Sequence, residues 1–77
     1  MLKGVSEAIV RDVVPVAIHD QPYVQITYSP LAEQEKMLQT RVGVESAYPD
    51  LTEGDRVTLH ILMNVVTKIE PSGDRDD

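Results

Sequence analysis

Residues 56–70, RVTLHILMNVVTKIE, alternate in character with period two along nearly their whole length. Val57, Leu59, Ile61, Met63, Val65 and Ile69 share one side, with Thr67 the only polar interruption, while Thr58, His60, Leu62, Asn64, Val66, Lys68 and Glu70 take the other. Successive side chains of a strand point to opposite faces, so the run reads as a ribbon with one apolar face that has to pack against something. Its length exceeds the usual strand of about 5–6 residues. The ribbon must therefore bend across a barrel, carry a bulge, or turn at Met63-Asn64, where Asn tolerates a left-handed backbone. The expectation taken forward is a single bent strand shared by both halves of a small barrel. Leu62 and Val66 then flank Asn64 on the polar side, and two readings stay open for them: barrel curvature covers them, or they form a subunit interface.

The N-terminal third points the same way. Residues 2–18 are rich in Val and Ile, which are stiff at χ1 and suit a pleated surface, and Pro15 would break a helix passing through it. Proline donates no hydrogen bond, so it belongs at an edge, a bulge or a junction. The expectation is a strand to Asp12 or Val13 and a second at 14–18, or one long strand bent at Pro15. A turn at 19–22, His-Asp-Gln-Pro, joins this segment to the alternating run 23–28, in which Val24, Ile26 and Tyr28 share a face. Ser29-Pro30 reads as a helix start, with about one turn over 31–35. A strand follows over 36–45, the alternative being a longer helix over 30–39.

Residues 46–55 form a connector pinned by Leu51, with Gly54 where a left-handed backbone is needed. The segment Leu51-Thr-Glu-Gly-Asp-Arg-Val57 resembles the Leu-x-x-Gly-Asp-x-Val stretch that leads into a strand in small barrels of the KOW, TOBE and related SH3-like or OB-like kinds. That resemblance implies a small β-barrel. Through the TOBE comparison it also implies a module that binds a small oxyanion with backbone N–H groups between subunits. The fold class expected is therefore mainly β: a five- or six-stranded antiparallel barrel or strongly bent sheet, SH3-like or OB-like, with one short helical turn, over residues 1–70. Residues 71–77, PSGDRDD, are expected to be a disordered acidic tail.

Size and charge narrow the functional classes. At 77 residues a single core is marginal, and natural chains of this length often add disulfides, metals or association with another chain. There is no cysteine, which removes the first device and the commonest zinc motifs. Association with copies of itself or with a larger partner is thus favoured. No apolar run approaches the roughly 20 residues that span a bilayer, and the N-terminus lacks the pattern of a secretory signal, so a soluble cytoplasmic protein is expected.

Thirteen acidic against seven basic residues give a net charge of −6, of which residues 71–77 supply −3 + 1 = −2. The remainder still carries −4, which opposes binding to phosphate backbones. Nucleic acid is accordingly disfavoured as a partner unless Lys3, Arg11, Arg41 and Lys68 gather on one side. The aromatic platforms on offer are Tyr23, Tyr28 and Tyr48; Tyr28 shares a face with core residues and Tyr48 reads as a pin for its loop.

His19, beside Asp20, and His60 stand at unrelated spacing and make neither a metal motif nor an acid–base pair. The sequence contains no nucleophile elbow, phosphate-binding glycine loop, dinucleotide fingerprint or His-Glu-x-x-His. No catalytic residue, cofactor or metal is assigned, and the protein is read as non-catalytic. The function expected is a protein-interaction or assembly module, self-associating or an accessory subunit, with Leu62, Asn64, Val66, Pro15 and Tyr48 as its interface residues. The alternatives are a small-anion-binding module and, behind it, a nucleic-acid-binding barrel.

Overall fold

The computed structural model describes residues 3–72. Five strands, β1 (Lys3–Ile18), β2 (Gln21–Pro30), β3 (Leu38–Gly43), β4 (Arg56–Leu62) and β5 (Val65–Pro71), form one antiparallel sheet in the order β3-β2-β1-β4-β5. Single 3-10 turns occupy Leu31–Glu33 and Val44–Ser46. The edge strands β3 and β5 approach each other without pairing. Of the two forms expected, a barrel or a bent sheet, the open and strongly curled sheet is the one observed.

β1 is one strand, and its bend lies at Arg11 rather than Pro15. Val10 pairs with Tyr28 and Asp12 with Thr27, which leaves Arg11 as an extra, bulged residue. A bulge bends its strand and increases the local twist. β1 accordingly pairs with β4 only up to Ile9, opposite Arg56, and then runs on with β2 as its only neighbour. Pro15 sits in that second stretch, opposite Val24, where a missing N–H leaves no ladder incomplete. At the bend the chain is tied to the connector instead: Val10 N–H donates to Asp55 O and Gly54 N–H to Val10 O, both at 2.8 Å. Gly54 has φ +93°, which an L side chain rarely adopts.

The expected ribbon at 56–70 is corrected to a hairpin. Met63 and Asn64 both have positive φ, 54° and 69°, the pattern of a two-residue type I′ turn, and the chain reverses there. Among the mechanisms that shorten a long run, turn and bulge both operate, since Thr67 is an extra residue between Val66, opposite Ile61, and Lys68, opposite His60. The β1–β2 connection is likewise a two-residue turn, His19-Asp20, with Gln21 and Pro22 already in β2, rather than the four-residue turn expected. Ser29 does not cap a helix: it is fully buried in β2, where its Oγ accepts from Arg11 Nε at 3.1 Å and donates to Met37 Sδ at 3.4 Å. β5 extends to Pro71, and Ser72 N–H donates to Arg56 O at 2.9 Å, so these two residues belong to the sheet rather than to the expected tail. The rest of that tail, 73–77, lies outside the described residues.

Every strand contributes to the core, which consists of Ala8, Val10, Ile26, Val42, Val57, Leu59, Val66 and Ile69. All eight are aliphatic. Tyr48 and Leu51 of the connector pack against them from the open side of the sheet. Tyr48 Oη donates to Asp55 Oδ2 at 2.7 Å, and the same carboxylate oxygen accepts from Thr52 N–H at 3.2 Å, so the connector is pinned through Tyr48 as its sequence position implies. Burial, followed by the Asp55 hydrogen bond and charge, raises the Tyr48 hydroxyl well above the ordinary tyrosine range. A group whose folded pKa is raised contributes stability that is complete below its unfolded pKa of about 10 and is lost as pH climbs through the folded value. Tyr48→Phe is expected to cost about 1 kcal/mol at neutral pH. It is also expected to flatten the alkaline limb of a stability–pH profile above about pH 10. Tyr28, whose hydroxyl is also raised by burial, remains in the variant and supplies the residual limb.

Candidate interaction surface

Inward positions on β4 are Val57, Leu59 and Ile61, so Arg56, Thr58, His60 and Leu62 point to the outer face. The register places Val5 of β1 opposite His60, and Val65 of β5 opposite Leu62. Val5 and Leu62 are then diagonal neighbours on one face, with Val65 directly beside Leu62. Met63 continues the apolar run at the hairpin tip. These four side chains are 65% (Val5), 44% (Leu62), 68% (Met63) and 59% (Val65) exposed, and they adjoin one another at one end of the sheet. The other exposed large apolar residues, Val14, Met37, Leu38 and Val44, lie on the outer half of β1 and around β3.

A groove of about 510 Å³ opens beside the tip, lined by Gly4, Val5, His60, Ile61, Leu62, Thr67 and Lys68. At Gly4 an added Cβ would meet no heavy atom within 4 Å. The polar rim of the groove is braced by neighbours. His60 Nε2 donates to Glu70 Oε1 at 2.9 Å and Lys68 Nζ reaches Glu70 Oε2 at 3.0 Å. Those two bonds, His60 first, lower the Glu70 pKa. Thr67 Oγ1 donates to His60 O at 3.2 Å, fixing the bulge. Farther along the same face Glu7 accepts from Thr58 Oγ1 at 2.7 Å and from Ser72 Oγ at 3.0 Å. The Thr58 bond is the chief cause of its lowered pKa, with Ser72 and the charge of Arg56 assisting and burial opposing. The outer face of β1, β4 and β5 thus divides into a hydrogen-bonded polar ladder and an apolar end.

The five interface residues expected from sequence do not form one surface. Leu62 and Asn64 lie at the exposed tip, but Val66 is a core residue, 9% exposed, and has no surface to offer. Val66 is turned inward by the two-residue turn, which sets it opposite the inward Ile61. Pro15 is exposed near the opposite end of β1, and Tyr48 is committed to the core and to Asp55. Val5, Met63 and Val65 were not among the candidates. Strict alternation assigns Met63 and Val65 to the core, and only the turn turns Val65 outward.

Among the described side chains, Arg11, Arg41 and Lys68 are dispersed over three strands and engaged, while the side chain of Lys3 lies outside the described residues. Arg11 Nε bonds Ser29, Arg41 on edge strand β3 donates to Gln25 Oε1 at 3.3 Å, and Lys68 on edge strand β5 pairs with Glu70. Among the described residues no group of three or more His, Asp or Glu side chains is placed to hold a metal ion, and no helix is long and apolar enough to cross a membrane. Comparison with protein-family models, with curated proteins and with solved structures finds no match.

Proposed function

We propose that the chain is a non-catalytic interaction module that joins a larger assembly through the apolar end of its β1–β4–β5 face. The observation that carries this reading is the contiguity of Val5, Leu62, Met63 and Val65, each far more exposed than a core residue and together bordered by the braced polar rim. Contiguous exposed apolar surface with a polar border is characteristic of protein contact sites, whereas single exposed apolar residues are ordinary. The proposal extends to a finer description of the fold as an OB-like module, supported by five strands in a partly open, curled sheet and by the long bulged first strand that serves both halves. A cytoplasmic setting belongs to the same proposal and is supported by the absence of cysteine.

The other two readings have less support. A nucleic-acid surface wants clustered cations and stacking aromatics, and here Arg11, Arg41 and Lys68 stand on three different strands, each with a side-chain partner. An oxyanion site has Gly4 and Thr67 in the groove, but the Lys68 ammonium there is held by Glu70.

The experiment is gel filtration of native extract from cells that express tagged full-length chain, wild type against the double variant Leu62→Asp/Val65→Asp. Wild type is expected to elute in a species larger than the 8.6 kDa chain, and the variant as the free chain. Identical elution of the two would overturn the proposal.

A further inference from the structure

We propose that Met63 is an oxidation site, at which a hydroperoxide converts the thioether to a sulfoxide and switches off the apolar end of the β1–β4–β5 face. The proposal rests on the interaction-module reading and adds a regulation of that same surface.

Sulfur chemistry narrows the choice first. The chain has no cysteine and three methionines, so two-electron oxidation by a peroxide falls on thioethers. Met37 and Met63 are the two among the described residues, and their sulfurs differ in what surrounds them. Met37 Sδ accepts from the fully buried Ser29 Oγ at 3.4 Å, and that hydroxyl is itself held by Arg11 Nε at 3.1 Å. A donated hydrogen bond occupies one of the sulfur lone pairs with which a thioether attacks a peroxide. Among the described residues no donor reaches Met63 Sδ, and Met63 is the most exposed of the large apolar side chains. Met63 is therefore the sulfur that a small oxidant meets first.

Position decides what the oxidation does. Met63 opens the two-residue turn at φ 54°, where Asn, Asp or Gly normally stands, and it lies outside the core. The fold draws neither turn geometry nor burial from this thioether, so an oxygen on its sulfur leaves the sheet intact. The patch responds differently. Met63 continues the apolar surface of Leu62 and Val65 at the hairpin tip, with Val5 diagonal to Leu62. A sulfoxide replaces a flexible apolar side chain by a polar one. An apolar partner then has to strip water from the S–O group without replacing its hydrogen bonds, which opposes contact.

In the step itself a lone pair on Sδ attacks one oxygen of the hydroperoxide, an S–O bond forms and the O–O bond breaks. The sulfur is oxidised by two electrons, and the peroxide is reduced to an alcohol, or to water where the oxidant is hydrogen peroxide, its proton passing to the departing oxygen. A dithiol-dependent reductase reverses the change, giving back the thioether and water as the dithiol becomes a disulfide.

The test treats purified, tagged full-length chain with graded hydrogen peroxide, removes the excess with catalase, and mixes each sample with native extract from cells lacking the tagged chain before gel filtration. Peptide mapping of the eluted fractions reads sulfoxide at each methionine, and circular dichroism of the oxidised chain reads its fold. Met37→Leu is carried in parallel, and a portion of each oxidised sample is first returned with methionine sulfoxide reductase. Met63 is expected to be converted before Met37. The species larger than the free chain is expected to disappear in proportion to Met63 sulfoxide, in wild type and Met37→Leu alike, while the melting temperature is unchanged and the reductase restores the species. Conversion of Met37 ahead of Met63, a larger species that persists with Met63 fully oxidised, a loss that the reductase does not reverse, or an oxidised chain that unfolds would each overturn the inference and leave the module reading in place. Elution of untreated Leu62→Asp/Val65→Asp identical to wild type would remove the module reading, and this inference with it.

Discussion

Val66→Asp is expected to unfold the protein, whereas Leu62→Asp, four residues earlier, leaves it folded. Val66 belongs to the buried cluster, opposite Ile61 and in the same core as Leu59 and Ile69. Replacing it forfeits about 2 kcal/mol of apolar burial. Desolvating a carboxyl group without a partner adds at least about 2 kcal/mol more. A domain of this size has a total stability of about 4–12 kcal/mol, so the change consumes much or all of it. Leu62 faces outward at 44% exposure, and its replacement is expected to stay within about 0.5 kcal/mol of wild type in the monomer. Circular dichroism with urea titration separates the two variants. A folded Val66→Asp of wild-type stability would mean that the turn at Met63-Asn64 does not set Val66 opposite Ile61 on the inward face.

Leu59→Ala is the second large effect, expected to lower stability by about 2–5 kcal/mol. Leu59 is 1% exposed and sits at the middle of β4, with Ser6 of β1 on one side and Ile69 of β5 on the other. The core is aliphatic throughout, with no aromatic ring among its fully buried members to swing into the space. For a domain of 60–100 residues each kcal/mol moves the melting temperature by about 4–8 °C, so a drop of at least about 8 °C is expected. A drop of about 2 °C or less would place Leu59 outside the packed centre. Leu38→Ala, at a position 40% exposed at the start of β3, serves as the surface control.

The β character of the chain was legible because Val, Ile and alternation agree along most of its length, and the inward faces of β2 and of the first half of β4 follow directly from period two. What alternation could not show is a pair of compensating phase changes in the last hairpin. A two-residue turn at Met63-Asn64 shifts the inward positions by one residue, and the bulge at Thr67 shifts them back. Ile69 is therefore in phase with Val57, Leu59 and Ile61, and the run reads as one ribbon although it is two strands. Val65 and Val66, between the two shifts, exchange faces. That exchange moved Val66 from the expected interface into the core and brought Val65 to the surface. Asn64 was a visible signal for the turn; Thr67, the lone polar residue on the expected apolar side, was the signal for the bulge.

The candidate site was legible in part for the same reason. Leu62 was recognisable because it breaks the polar side of the ribbon, while Val5 joins it only through the long-range pairing of β1 with β4. Arg11 illustrates a bulge with no local sequence mark, since neither Gly nor Pro stands at that point of β1. Its place is set by where the connector at 46–55 ends β4 pairing and ties Val10 to Gly54 and Asp55.

The most direct measurement is a pair of two-dimensional NMR spectra on isotope-labelled full chain, recorded in buffer and in native cell extract. The interaction surface predicts signals that broaden or move in the extract at Val5, Leu62, Met63 and Val65, with the signals of Val14, Met37 and Leu38 unchanged. Spectra that are the same in buffer and in extract, or changes centred on Val14 or Leu38 instead, would contradict it.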